Sequence, residues 1–169
     1  MPCKSGTRKN IEAGIRYHEE RKKTEASTAA VHWRWLVQQV HASASGFDGL
    51  SDENKLYYAV GLLQGDVFNG GFDQYFHNSS ADYCLYATRG LELMEAMKSR
   101  ALLDAVRKLL FGDGRVPATR TERFAMIGQL AEAPEAQLTE LDQQFWKDPD
   151  ALGDLMAKYA TKHGIYNVP

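Results

Sequence analysis

An all-α fold is what this sequence predicts, on three observations. Apolar residues recur at helical spacing in nearly every segment, no stretch shows the strict alternation or β-branched richness of a sheet strand, and helix start and stop residues stand at the segment boundaries. A length of 169 residues suits one domain with a core of its own. The expectation is a single compact domain of about seven to nine helices. Residues 1–27 read as a basic helical extension and residues 28–169 as the domain.

Over residues 10–24 the pairs Glu12/Arg16 and Glu19/Lys23 have the favourable i,i+4 order of an exposed polar helix. From 29 to 42, Trp33, Leu36, Val37 and Val40 form an apolar stripe, with Trp35 off it. The chain turns through SASGFDG, and Ser51 is placed to cap a helix whose first turn holds Asp52 and Glu53. That helix runs through LYYAVGLLQGDVF and should end at Gly70 and Gly71, which tolerate positive φ.

A short helical turn, FDQYFH, follows, and Asn78, Ser79 and Ser80 offer oxygens to cap the next helix, read as 81–98 with Tyr83, Tyr86, Ala87, Gly90, Leu91, Met94 and Met97 at helical spacing. Another helix is expected over 100–111. GDGRVPATRT is a turn-rich linker. A helix over 121–131 should stop before Pro134, and a shorter one should cover 136–145. The last has Asp148 as N-cap, Pro149 at its first position, Asp150 in its first turn, and Gly164 to close it.

With Cys3 and Cys84 as its only cysteines, the chain has no disulfide framework and no cysteine pair at metal-ligand spacing. No apolar run approaches the roughly 18 residues of a membrane span. MPCKSGTRKN has no apolar stretch behind it, so no secretory signal is expected and a cytoplasmic location is the default. The net charge of −2 conceals an asymmetry. Residues 1–24 carry seven Lys or Arg against three Glu, whereas 129–156 carry seven acidic residues against Lys147 alone.

Candidate chemistry is sparse. Asp73, His77 and Cys84 are the nearest approach to a nucleophile, base and orienting acid, but a cysteine on a helix beside tyrosines reads more simply as a small buried side chain. His18, His32, His41, His77 and His163 make no i,i+3 or i,i+4 pair, so no metal site or cofactor is expected; His32 and His41 read as surface or half-buried residues. The Gly70-Gly71 junction lacks a neighbouring Lys or Arg to complete an anion site. KSGTRKN and ERKK are interrupted by Glu12, Glu19 and Glu20, which favours a solvated helix face over direct nucleic-acid binding.

The acidic residues Glu132, Glu135, Glu140, Asp142, Asp148, Asp150 and Asp154 have two readings. They are caps and solvated faces, or a row in which carboxylates one helical turn apart, about 5–6 Å, follow the spacing of backbone phosphates and meet a basic protein.

The most unusual stretch is FNGGFDQYFHNSS, with its glycines, aromatics, amides and hydroxyls. It resembles the signature of a bacterial family of small α-helical proteins named for a DNA-mimic member. The resemblance covers roughly residues 50–163, including ATRGLELMEAMKSRALLDAV and LDQQFWKDPDALGDLMAKYATKH. The family pattern falls on Asn69, Gly70, Gly71, Phe72, Gln74, Tyr75, Phe76, Asn78, Ser79 and Ser80; Ala81 stands where the family usually has glycine. The resemblance implies an all-α fold, homodimers in many members, no enzyme activity or cofactor, and an acidic surface that replaces DNA on a transcription regulator or histone-like protein.

In this chain the motif is expected to be mainly structural, its glycines setting a helix junction and its amides and hydroxyls satisfying helix ends. An aromatic ligand pocket is the alternative. The expected function is a non-enzymatic binding protein whose acidic tail, helped by Asp48, Asp52 and Glu53, meets a basic DNA-binding protein, with no membrane and no nucleic acid as direct partner. The second expectation is an immunity- or antitoxin-like neutraliser of one toxin, anchored by Trp35 or Trp146.

Overall fold

The computed structural model describes residues 19, 20, 23, 26–113, 115–129 and 132–166, the side chains of 132 and 133 excepted. The expected extension, 1–27, lies largely outside the described residues. The described residues are all-α, with seven α-helices, two short 3-10 helices and no strand among them. The chain clusters into two compact units, Met1–Gly49 with Tyr166–Pro169, and Leu50–Ile165.

In the first unit, α1 spans Thr28–Ala42, starting where the Ser27 side chain accepts the Ala30 N–H at 3.2 Å. Of the expected stripe Leu36 is buried and Trp33, Val37 and Val40 are half-buried, and His32, which the stripe did not include, is buried beside them. His32 is fully buried, its ring stacked on Trp35 at 5.6 Å and edge-on to Tyr166 at 5.5 Å. A 3-10 helix, Gly46–Gly49, follows and buries Phe47.

The second unit is built round α2, Asp52–His77, which begins as expected with Ser51 Oγ accepting the Asn54 N–H. Its backbone departs from helix at Gly70 (φ −160°, ψ 23°) and Gly71 (φ 78°, ψ −178°), so the predicted junction is a kink within one long element. Only Gly71 has positive φ. A 3-10 helix Ser79–Tyr83, then α3 (Cys84–Leu93), α4 (Met97–Phe111), α5 (Arg120–Ile127), α6 (Glu132–Trp146) and α7 (Leu152–His163) complete the unit. The 3-10 helix, α3, α5, α6 and α7 all pack on α2.

Three boundaries differ from the sequence reading. The stretch 81–98 is not one helix: α3 ends after Leu93, where Ala96 N–H bonds to Leu91 O and Glu95 N–H to Glu92 O, a Schellman end with Glu95 at φ 63°. Glycine usually fills that position, so the signal was missing. Glu95→Gly should relieve the left-handed strain and stabilise the protein by about 1 kcal/mol, read as a raised urea midpoint. The helix after the linker stops before Pro134 as expected, at Ile127, but the next one begins at Glu132 and not at 136, with Pro134 in its first turn, where a missing N–H costs nothing. Finally, α7 begins at Leu152, because the Asp148 and Ala151 backbones are left-handed (φ 47° and 52°) and form a turn instead of the expected first turn of helix. Gly164 closes α7 as predicted, with φ 63°.

Candidate functional site

At the kink, Gly71 brings the start of the FDQYFH segment against α6. The Phe72 N–H, released from the helical ladder by the glycines, donates to Asp142 Oδ1 at 2.8 Å. Phe72 packs edge-on to Phe145 at 5.2 Å, Tyr75 on Phe76 at 5.0 Å, and Phe76 on Phe111 at 5.2 Å. Phe72, Tyr75 and Phe76 are fully buried, so the walls of the imagined aromatic pocket are packed as core.

The motif's amides turn inward to one acid. Asn78 Nδ2 donates to Asp66 Oδ1 at 3.0 Å and Gln74 Nε2 reaches the same oxygen at 3.5 Å. Asn78 makes no side-chain cap to the 3-10 helix that it precedes, contrary to the expected role. Ser80 is buried, while Asn69, Gly70 and Ser79 are exposed.

The C-terminal end of α2 is held by a residue that sequence inspection passed over. Arg123, fully buried on α5, donates from Nε to Phe76 O at 3.0 Å, and from its terminal nitrogens to Asn78 O and Pro117 O at 3.3 Å and to Asp82 Oδ1 at 2.7 Å. Arg120 Nε adds a bond to His77 O at 2.6 Å. Carbonyls at a helix end lack intrahelical donors and carry the negative end of the dipole, so two guanidinium groups satisfy both needs. Only the RTER spacing at the head of α5, after the capping-box Thr119, could have pointed to it.

Of the candidate trio Asp73, His77 and Cys84, the first two meet each other and the third is held elsewhere. The His77 ring is held by Asp73, with Nδ1 2.9 Å from its carbonyl and 3.1 Å from its carboxylate, and lies against Phe124 at 4.2 Å. Cys84 is buried, and burial pushes its thiol above the ordinary range, toward the protonated form. Its neighbour is the Tyr75 hydroxyl, which burial and then the thiol itself push well up. No cluster of His, Cys, Asp and Glu capable of holding a metal occurs among the described residues.

The acidic tail divides. Glu135, Glu140 and Asp154 are exposed, and the Glu132 side chain lies outside the described residues. The other three are half-buried and serve the fold. Asp142 receives Phe72 N–H, Asp148 Oδ1 receives Leu152 N–H at 2.8 Å to cap α7, and Asp150 Oδ2 receives Ser99 N–H at 2.6 Å. Asp150 therefore caps α4, whose own N-cap residue is Ala96 and has no side-chain acceptor. On α6, Glu135 and Glu140 are five residues apart and so point about 140° away from each other. The seven carboxylates do not share one face.

Burial raises the Asp142 carboxyl above the usual carboxylate range; the Phe72 N–H works against that, and the like charge of Asp73 adds to it. A raised folded pKa means stability that is present below the unfolded value and is lost as pH rises through the folded one. Asp142→Asn keeps an acceptor for Phe72. It should be at least as stable as the parent at pH 7, with the difference vanishing as pH falls to about 4, read by urea titration across that range.

A family model, described as DMP19-like protein, matches residues 48–163. The chain belongs to the DMP19-like family. The match covers nearly all of the second unit, in line with the family expected over roughly residues 50–163, and includes the kink, the Arg123 clamp and the tail carboxylates. Comparison with curated proteins and with solved structures returns no match. In the DMP19-like region 18 Asp or Glu stand against 12 Lys or Arg, a surplus of six negative charges. No helix among the described residues is long and apolar enough to cross a membrane.

Proposed function

We propose that this DMP19-like protein is a non-enzymatic binding protein that offers acidic helical surface to a basic, DNA-binding partner such as a transcription regulator, in place of duplex DNA. Its membership of a DNA-mimic family, joined to the negative surplus of residues 48–163, carries this reading. The charges offered are narrower than the sequence suggested: Glu135, Glu140 and Asp154 are exposed, whereas Asp142, Asp148 and Asp150 are engaged by backbone N–H groups. The absence of a catalytic role is supported by Cys84 and His77 being held in separate contacts.

The test is affinity capture from lysate of the source organism at low and moderate salt, with nuclease treatment. A basic DNA-binding protein should be retained, released as salt rises, and displaced by duplex DNA. Glu135→Lys with Glu140→Lys should weaken the complex roughly tenfold or more, since reversing rim charges acts on steering and on like-charge repulsion. Salt-insensitive binding would reject the electrostatic mechanism. Asp142 is left unchanged in this test because its loss would disturb the kink.

A second reading, a neutraliser that binds by shape and apolar contact, is favoured by the exposed Leu85, Tyr86, Leu93 and Met97. The anchors expected for it are partly committed. Trp146 is 44% exposed but donates its indole N–H to Val67 O at 2.6 Å, and Trp35 stacks on His32. A salt-resistant complex broken by Leu85→Asp would support this reading over the first.

A further inference from the structure

A groove of about 530 Å³ runs between α4 and α6, and neither its shape nor its charge belongs to an acidic mimic. Its apolar lining comes from Ala101, Leu102 and Ala105 of α4 and Leu141 of α6, while the two charged side chains lining it, Lys98 and Lys147, are both cations. Both lysines are exposed; Lys98 Nζ also donates to Pro149 O at 3.1 Å, which keeps it at the groove end. Lys147 is the only Lys or Arg among residues 129–156, and the fold places it on this groove with Lys98.

We infer that this groove is a docking site for a short amphipathic helix of a partner protein, with an apolar stripe and carboxylates at the end that meets Lys98 and Lys147. The spacing fits a helix. Lys98, Ala101, Leu102 and Ala105 stand at i, i+3, i+4 and i+7 and span about 10 Å, the rise over which a docked helix presents its own i to i+7 anchors. The two alanines let the backbone of an incoming helix approach α4 closely, and Leu102 and Leu141 give its apolar side chains something to bury against. The charges select among occupants. A nucleic-acid strand would satisfy the lysines but leave the apolar floor against phosphates, and a two-fold contact of the groove with itself would bring the four lysines of two copies together. A helix with an apolar stripe and carboxylates at one end satisfies the floor and both lysines at once. This site is separate from the exposed carboxylates of the proposed function and stands or falls independently of them.

The test uses the full chain and two synthetic peptides of about 14 residues, roughly 20 Å as helices. Each carries leucines at i, i+3, i+4 and i+7, with glutamates flanking them in one and lysines in the other. Fluorescence anisotropy should show saturable binding of the glutamate peptide, at least roughly tenfold tighter than the lysine peptide. Methyl NMR shifts should concentrate on Ala101, Leu102, Ala105 and Leu141. The variant Lys98→Glu with Lys147→Glu should reverse the preference, and Ala105→Trp, which fills the floor, should weaken both peptides. Should the large residue disturb the fold, the lysine variant still decides the matter through its charge reversal. Equal affinity for the two peptides, no saturable binding by either, shifts centred on Leu85 and Leu93, or peptide-free shifts that grow with protein concentration would each overturn the assignment.

Discussion

Arg123→Ala should destabilise the protein by about 3–5 kcal/mol, the range for leaving partners of a buried charge unsatisfied. The side chain is fully buried, yet its four acceptors come from three places: the end of α2, the approach to α5, and Asp82 of the 3-10 helix. Truncation leaves the Phe76 and Asn78 carbonyls facing a cavity and removes the cation from the negative end of the α2 dipole. Arg123→Lys should recover less than half, because one ammonium cannot reproduce a planar fork that serves Phe76 O, Asn78 O and Asp82 together. Urea unfolding of the parent and the two variants measures this directly. A cost below about 1 kcal/mol for the alanine would mean that water replaces the guanidinium and that the clamp does not hold the motif.

Gly71→Ala is expected to cost a comparable amount, about 3–5 kcal/mol, for two separable reasons. The backbone at φ 78°, ψ −178° is a conformation that side chains with a Cβ essentially do not adopt. In addition, a Cβ there would crowd the Asp142 carboxylate, which accepts from the next residue, Phe72. For a chain of this size such a loss lowers Tm by roughly 10 °C. A double-mutant cycle separates the two causes. Asp142→Ala removes the crowding but not the dihedral strain, so the pair should cost less than the sum of the single changes by about 1 kcal/mol or more. Strict additivity would show that Asp142 plays no part in what Gly71 permits.

These two positions mark the boundary of what could be read without coordinates. The Gly-Gly junction, the Ser51 cap and the Gly164 stop were legible because each rests on a local rule: positive φ favours glycine, and an orphan N–H favours a nearby serine oxygen. Where a local rule is broken the reading failed. Glu95 ends α3 in a conformation that glycine normally takes, and nothing in ELMEAMKS announces it. The tail shows a subtler failure. DPDALGD has every mark of a helix start, yet Asp150 caps α4, 51 residues earlier in the chain, and only Asp148 serves α7.

The same distinction governs function. Net charge and the 48–163 family match are properties of the chain as a string, and the proposed acidic binding role starts from them. How many of the seven carboxylates reach solvent is not such a property, because a half-buried carboxylate is claimed by whichever N–H the fold brings to it. Composition, periodicity and local glycine rules therefore determined an all-α protein with a helix junction at Gly70-Gly71 and a negative surplus. The tertiary structure alone decided that Arg123 would be the buried clamp, that Asp142, Asp148 and Asp150 would be fastened inward, and that Lys98 and Lys147 would meet across one groove. The physical reason is that helix capping and periodicity act over about four residues, whereas hydrogen-bond satisfaction of a buried end accepts a partner from anywhere in the chain.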